Sequence, residues 1–179
     1  MFGVDIRVEI DDKEFNRYMR LMANNADKLR PFFNKATMIM LRSFDQNFRE
    51  QGRPKHWKRL SPNTIAGRRG GSSRILQDTG RLKMSTVAKS GPGNLYRQGK
   101  DYLKMGSRLK IAPFHQYGTR PYDIVPKSAK ALRFMTAQGI RFAMRVHHPG
   151  LDARPFVLIQ DEDVKDLTAL AIEHVTGEA

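Results

Sequence analysis

Cysteine is absent from the 179 residues of the chain. This absence excludes disulfide bonds, thiol catalysis and thiolate ligands for a metal. The chain also has no apolar run that approaches the roughly 20 residues of a membrane-spanning helix. The N-terminus lacks a basic region followed by an apolar region, so no secretory signal is predicted. We therefore expect a protein that is made in a reducing cytoplasm and has no membrane partner.

Acidic residues are scarce in the middle of the chain. Residues 51–110 hold 15 Lys and Arg but only Asp78 and Asp101 as acids, a net charge of +13. Residues 151–179 reverse this, with two basic residues, seven acids and a net charge of −5. Such a basic block suits nucleic acid, an acidic protein surface or the acidic end of a neighbouring copy, and a solvated basic surface is the plain alternative.

Patterns typical of catalytic and metal sites are also missing. His147 and His148 are adjacent, so in a strand their side chains would point to opposite faces and could not share a metal. His56 and His115 lie far apart in the sequence, and no pair of carboxylates accompanies them. A nuclease would need clustered carboxylates for divalent cations, and the basic block has almost none. The sequence predicts a non-enzymatic protein with no catalytic residues, no metal and no cofactor.

What the sequence does contain is clear periodicity. At the N-terminus, apolar and polar residues alternate over residues 2–10, which predicts a half-buried strand. Asp11 and Asp12 then predict the cap of a helix that begins near Lys13, because a carboxylate accepts hydrogen bonds from unpaired backbone N–H groups. Asn24 and the asparagine after it predict the end of this helix.

The rest of the chain predicts a single α+β domain over residues 1–179. A long helix with an apolar stripe is predicted over residues 26–49, and a C-terminal helix over residues 161–175. We expect the long helix to pack on a mostly antiparallel sheet. The predicted strands cover residues 82–88, 95–98, 102–106, 122–125, 132–136 and 140–146, and residues 114–118 predict a helical turn.

A basic, glycine-rich loop is predicted between the long helix and the strands, at about residues 66–74. Ser61 and Pro62 before it predict the cap and the first residue of a short helix. The loop has no apolar anchors, so we expect it to be flexible. Its cations Arg68, Arg69 and Arg74 are predicted to contact a partner protein or DNA.

Four short motifs follow one another along the chain. They are Trp-x-x-Leu-Ser-x-x-Thr at residues 57–64, Ile-Leu-x-x-Thr-Gly-x-Leu-x-x-Ser at residues 75–85, His-Gln-x-Gly at residues 115–118 and Ala-Arg-Pro-Phe at residues 153–156. In this order and spacing they resemble the phage virion morphogenesis family, which includes tail-completion proteins of contractile-tailed and Mu-like phages. The resemblance covers roughly residues 40–165. The longer stretch at residues 124–150 resembles the related head–tail joining proteins of phages with long non-contractile tails. The resemblance therefore leaves open which of the two groups the chain is nearer to.

The resemblance implies a structural virion protein at the head–tail junction, made in the host cytoplasm. As a tail-completion or neck protein it would form a hexameric ring and join the tail to the capsid connector. Its implied partners are other copies of itself, the tail terminator or tail tube protein, the head–tail connector proteins and DNA in the lumen. The alternative is a basic, sequence-neutral nucleic-acid-binding module with no part in a ring.

The motif residues are interpreted as determinants of the fold, with direct subunit contacts as the alternative. Thr79 and Gly80 are expected to cap a helical turn before the strand that starts at Leu82, and Arg154 to pair with an acid. The expected fold determinants are Trp57, Leu60, Thr79, Gly80, His115, Gly118, Pro155 and Phe156. Ring assembly is predicted to set an acidic segment against a basic neighbour, through the interface residues Arg154, Asp161, Glu162 and Asp163.

Overall fold

A computed structural model describes residues 13–177 of the chain. The strand predicted over residues 2–10 and the cap predicted at Asp11 and Asp12 lie outside these residues. The described helices are α1 (Lys13–Asp27), α2 (Arg30–Arg49), α3 (Pro62–Ala66), α4 (Arg81–Val87), α5 (Ala112–Tyr117) and α6 (Asp161–Thr176), with a 3-10 turn at Arg69–Gly71. The strands are β1 (Asn94–Gln98), β2 (Leu103–Ser107), β3 (Tyr122–Ile124), β4 (Leu132–Thr136), β5 (Gly139–Ala143) and β6 (Val146–His148).

The C-terminal helix α6 packs between α1 and α2. Helix α1 continues through Asn25 to Asp27, so the break predicted at Asn24 is wrong. The reason is a tertiary contact, since the Asn25 side-chain amide donates to the Val175 carbonyl and its own carbonyl meets the His174 ring, at 3.3 and 2.9 Å. These bonds hold the end of α1 against the end of α6.

Residues Arg81–Val87 form helix α4, so the strand predicted over residues 82–88 is wrong. Leu82, Ser85 and Thr86 recur at helical spacing and are buried, and α4 packs on α2. The Ser85 and Thr86 hydroxyls donate to the carbonyls of Leu82 and Lys83, at 2.7 and 2.8 Å, which satisfies two polar groups inside the core. Gly80 has a φ of 73° and begins this helix, so it does not reverse the chain into a strand.

The α+β class is confirmed, and all strand pairs within residues 13–177 are antiparallel. These described strands form three separate pairs, β1 with β2, β4 with β5, and β3 with β6, where we expected one sheet. The long helix α2 therefore packs mainly on the helices α4 and α6. The predictions for β1, β2, β3 and β4 are confirmed to within a residue, whereas the predicted strand at 140–146 is divided between β5 and β6.

Three aromatic side chains form the centre of the core. Phe48, Trp57 and Phe156 are 0, 6 and 2% exposed, and the Phe48 ring lies 5.8 Å from each of the other two. The Trp57 indole N–H donates to the Pro155 carbonyl at 3.3 Å, and the Asn47 amide donates to the same oxygen at 3.1 Å. The predicted role of Trp57 and Phe156 as core anchors is confirmed.

The described chain has a body and an excursion. We call residues 119–151 the excursion and the other described residues the body. None of the residues in the excursion is buried. Its ends meet where the Thr119 N–H donates to the Leu151 carbonyl and the Leu151 N–H donates to the Thr119 hydroxyl, both at 2.9 Å. The backbones approach so closely that a Cβ at Gly150 would lie 2.3 Å from the Thr119 carbonyl oxygen.

Candidate partner-binding cleft

A cleft of about 950 Å³ opens where the sequence motifs come together. The first motif contributes Leu60, Ser61 and Thr64 to its wall, and the second contributes Leu76, Thr79 and Leu82. His115 from the third motif and Arg154 from the fourth complete the wall. The four motifs therefore line one site, although they are spread over about a hundred residues of sequence. We call it the basic cleft.

Positive charge dominates the basic cleft. Seven cations line it, against the two acids Asp78 and Asp152, and the cations are Lys58, Arg59, Arg68, Arg81, Arg108, Lys110 and Arg154. Among these nine side chains the one ion pair within the described structure joins Lys58 and Asp152, at 3.3 Å. The remaining cations concentrate positive potential in a concave surface, where low-dielectric walls strengthen the field.

Two polar side chains in the wall have atoms without a hydrogen-bond partner. Arg154 is 8% exposed and donates through Nη2 to the Lys58 carbonyl at 3.2 Å, but its Nε finds no acceptor among the described residues. His115 Nδ1 is also buried and has no hydrogen-bond partner there. The buried Nε–H of Arg154 costs free energy while it lacks an acceptor, and an acceptor on an incoming ligand would remove that cost. This supports a ligand that brings carboxylate or other acceptor oxygens.

The electrostatics of these two side chains point the same way. Burial lowers the pKa of His115, and the positive charges of Arg154 and Arg68 lower that pKa further. Burial also lowers the pKa of Arg154. The negative charge of Asp152 raises this pKa, and the positive charge of Arg68 lowers it. Burial first, and then the charges of Arg154 and Arg68, thus disfavour the cationic form of His115. The presence of two cations beside one ring suits a site for an anion.

Gln116 joins the third motif to the fourth. Its Oε1 accepts hydrogen bonds from the N–H groups of Phe156 and Val157, at 3.1 and 3.2 Å, and its Nε2 donates to the Val157 carbonyl at 2.9 Å. The Arg154 N–H donates to the His115 carbonyl at 2.8 Å. Gln116 was not among the residues predicted to matter, although its place inside the third motif was a signal for a role. These bonds position Arg154 at the cleft.

Gly118 ends α5 in a conformation that favours glycine, as predicted. Its φ is 77°, and a Cβ there would lie 2.5 Å from the Leu151 carbonyl oxygen. The chain can leave α5 and run beside residues 151–153 only because this side chain is absent. Gly118 therefore sets the position of both the third motif and the base of the excursion.

The three arginines predicted to contact a partner do not act as one group. Arg68 lines the basic cleft, and its guanidinium turns back to donate to the carbonyls of Ser72 and Arg74. Arg69 and Arg74 are exposed and do not line the cleft. A contact with DNA or a partner protein remains a prediction for all three, and the structure gives Arg68 an additional part in shaping its loop.

The four predicted interface residues also lie in different surroundings. Asp163 is 4% exposed, and its Oδ2 accepts from the Ser43 hydroxyl and the Gln160 N–H at 2.6 and 2.8 Å. It therefore caps α6 from inside the body. Glu162 pairs with Arg53, Asp161 is exposed, and Arg154 lies in the cleft wall without an ion pair to a described acid. An interface role remains a prediction for these four residues.

The histidines do not form a metal centre within residues 13–177, where no three His, Asp or Glu side chains are placed to hold an ion. His147 and His148 point to opposite faces of their strand, as predicted. The His147 ring meets Asp123 at 2.9 Å, whereas the His148 ring stacks on Tyr122 at 4.9 Å. Hydrogen bonds from Arg145 and His147 lower the pKa of Asp123. In the same range of residues, no helix is both long and apolar enough to cross a membrane.

Comparison with known protein families gives one match. The model of the phage virion morphogenesis family matches residues 10–176, a range that includes the basic cleft, the body and the excursion. No curated protein and no solved structure matches the chain significantly.

Proposed function

Since the chain belongs to the phage virion morphogenesis family, we propose that it is a tail-completion or neck protein of a tailed phage. Membership of this family gives the chain a part in building the phage particle and makes it a virion component. The finer proposal is that its copies form a hexameric ring at the head–tail junction. The ring joins the upper end of the tail to the connector on the capsid.

The observation that carries this proposal is the convergence of the motifs on the basic cleft. Guanidinium and ammonium groups hold an anionic surface through charge and hydrogen bonds, without any bond-making step. The cleft wall also includes apolar side chains, Leu60, Leu76, Leu82 and Leu109 among them. A charged rim around apolar side chains fits an acidic protein segment better than a bare phosphate backbone. We assign this cleft to a tail or connector protein.

The exposed arginines of the loop supply a second contact. Arg69 and Arg74 lie on the surface beside the cleft cation Arg68. In a ring, they would extend the basic surface toward a partner or toward DNA in the lumen. Contacts of this type set register and association rate more than affinity.

The test is a charge reversal at the rim of the cleft in a phage that carries the altered gene. Replacing Arg59, Arg108 and Lys110 with Glu should leave filled heads and finished tails unjoined, and infectious yield should fall on the order of a hundredfold. The matched control reverses three exposed cations away from the cleft, Lys89, Arg97 and Lys100, with the same change in net charge. Equal yields from the two triple variants would sink the proposal.

A mass measurement separates this proposal from its alternative. Light scattering of the full chain at low and high salt, with negative-stain imaging, should find a closed ring, or a monomer that closes into one when tail or connector proteins are added. The alternative is a sequence-neutral nucleic-acid-binding module, favoured by the +14 net charge of the chain. A monomer that ignores those proteins and binds any DNA with a steep salt dependence would favour the alternative.

A further inference from the structure

One face of the hairpin formed by β4 and β5 is apolar and uncovered. The register sets Met135 opposite Ile140 and Arg133 opposite Phe142, so these four side chains share a face. Met135, Ile140 and Phe142 are 46, 44 and 67% exposed. A two-stranded hairpin is at best marginally stable in water unless it packs on something. We call this surface the hairpin face.

The opposite face of the same hairpin is the one turned toward the body. Its residues Leu132, Thr136 and Ala143 are half-buried, Phe134 between them is 38% exposed, and β4 contacts α3. At the tip, the Ala137 N–H donates to the Asn63 side-chain oxygen at 3.0 Å. The hairpin is therefore held in place by α3, which leaves the hairpin face pointing outward.

A second uncovered apolar surface lies on α6, away from the hairpin. Ile159, Val164 and Ile172 are 58, 53 and 59% exposed and lie along one groove of about 560 Å³. Asp161 is exposed and stands between Ile159 and Val164 in the sequence, at the first turn of α6. The other residues that line the groove are Met22, Leu167, Thr168, Ala171, Val175 and Thr176. We call it the α6 groove.

The hairpin face and the α6 groove are complementary in chemistry. Each presents three exposed apolar side chains with one charge beside them, Arg133 on the hairpin and Asp161 at the groove. The charge of the surrounding chain follows the same pattern, since residues 126–146 hold five cations and no acid, whereas the start of α6 has three exposed acids, Asp161, Glu162 and Asp166, and one lysine. Burying apolar side chains in the groove would supply affinity, and the opposite charges would fix register.

We infer that the hairpin face of one copy packs into the α6 groove of a second copy, with Arg133 next to Asp161. The two surfaces belong to different parts of the monomer, because the hairpin contacts α3 whereas α6 packs on α1 and α2. A contact between two different patches is heterologous and repeats from copy to copy. It closes into a ring where the rotation between copies allows closure, and otherwise gives an open filament. The inference rests on the proposed ring and names the surfaces that build it, and it leaves the basic cleft free for another protein.

The test uses introduced cysteines. Because the natural chain has no cysteine, the introduced thiols are the only ones that can react. The full-length double variant Phe142→Cys and Ile172→Cys is treated with a short bis-maleimide cross-linker and run on a denaturing gel. We expect a ladder of covalent multimers that ends at the ring size. A mixture of the two single variants should give dimers, and each single variant alone should remain monomeric on the gel.

The matched control moves the first cysteine to α4. Met84 is 61% exposed, close to the 67% of Phe142, and lies outside the hairpin. The variant Met84→Cys with Ile172→Cys should give no ladder. A ladder from the control would mean that the cross-links report random collisions and would overturn the inference.

A charge exchange gives an independent readout. Arg133→Glu should weaken assembly of the ring about tenfold or more, and adding Asp161→Arg should restore it, because the pair then has opposite signs again. Failure of the second change to restore assembly would overturn the predicted register.

The outcomes separate this inference from the proposed function. A ring that forms without a cross-link between positions 142 and 172 would overturn the inference and leave the ring standing. Cross-linking of the Phe142→Cys variant with itself would indicate a twofold contact between hairpins, and would also overturn it. A chain that stays monomeric even with tail and connector proteins present would overturn both.

Discussion

The body has a buried aromatic core, whereas no residue of the excursion is buried. In the body, Phe48 and Phe156 are 0 and 2% exposed and pack on one another. In the excursion, Phe134 and Phe142 are 38 and 67% exposed. Apolar surface left in water is costly unless something covers it. The body is therefore stabilised by its own core, whereas the excursion has the composition of a surface that a second molecule completes.

The largest expected effect is the loss of a core ring. Phe48→Ala should reduce the free energy of unfolding by about 3–5 kcal/mol, because it removes transfer energy and leaves a cavity between Trp57 and Phe156. Phe142→Ala in the excursion should change the free energy of unfolding of the separate monomer by less than about 0.5 kcal/mol. Urea unfolding followed by the fluorescence of Trp57, the single tryptophan, measures both. Equal losses of unfolding free energy in the two variants would contradict the difference between the body and the excursion.

A smaller loss is expected at the buried start of α6. Asp163→Ala should cost about 1–3 kcal/mol, because the Ser43 hydroxyl and the Gln160 N–H lose their acceptor inside the body. The matched control is Asp161→Ala, which removes an exposed acid from the same helical turn and should cost about 0.3–1 kcal/mol. Thermal unfolding of the two variants checks the difference. Similar melting temperatures would contradict the burial of Asp163 as the cause.

A pH effect should follow from His115 in the cleft. Because its pKa is lowered in the folded chain, the unfolded chain binds the proton more readily. The contribution of neutral His115 to the free energy of unfolding is therefore fully present above the ordinary histidine pKa of about 6.5. It is lost as pH falls below that value, because the unfolded chain is protonated first. The change in urea midpoint between pH 7.5 and pH 5.5 should be smaller in His115→Gln than in the parent chain. An unchanged pH dependence would argue against a pKa of His115 lowered by its burial and by the charges of Arg154 and Arg68.

The smallest effect on the body is expected from removing the excursion. Thr119 and Leu151 already form an antiparallel bridge, so Asn-Gly can replace residues 120–150 as a two-residue turn. Unfolding of the body should change by less than about 1 kcal/mol, whereas ring assembly should be lost. Circular dichroism and light scattering on the shortened chain measure the two properties. Loss of the folded body would show that the excursion is part of its core after all.

Local chemistry explains which elements could be predicted from the sequence. Ser61 caps α3 as expected, with its hydroxyl accepting from the Thr64 N–H at 3.2 Å. The helix α6 followed in the same way from apolar spacing and acidic first-turn residues. Helix α4 was missed because its seven residues include Ser, Thr and Val, which suit a strand when their packing on α2 is unknown.

The candidate site depended on more than local chemistry. The motif residues were expected to determine the fold, and Trp57, Gly118 and Phe156 do so. Their meeting at one basic cleft was not foreseeable, because Lys58 and Arg154 come together only through a hydrogen bond that spans 96 positions of the sequence. The burial of Asp163 was not foreseeable for the same reason, since nothing in its own helix indicates that Ser43 lies against it.

By itself, the sequence determined the α+β class, most of the elements, the basic middle, the acidic end and the family to which the chain belongs. These follow from periodicity, composition and motif order, which are properties of neighbouring residues. Only the tertiary structure decided which charges are buried, which line the cleft and which apolar faces stay uncovered. Burial depends on what packs against a residue from distant parts of the chain, and no local pattern specifies that partner.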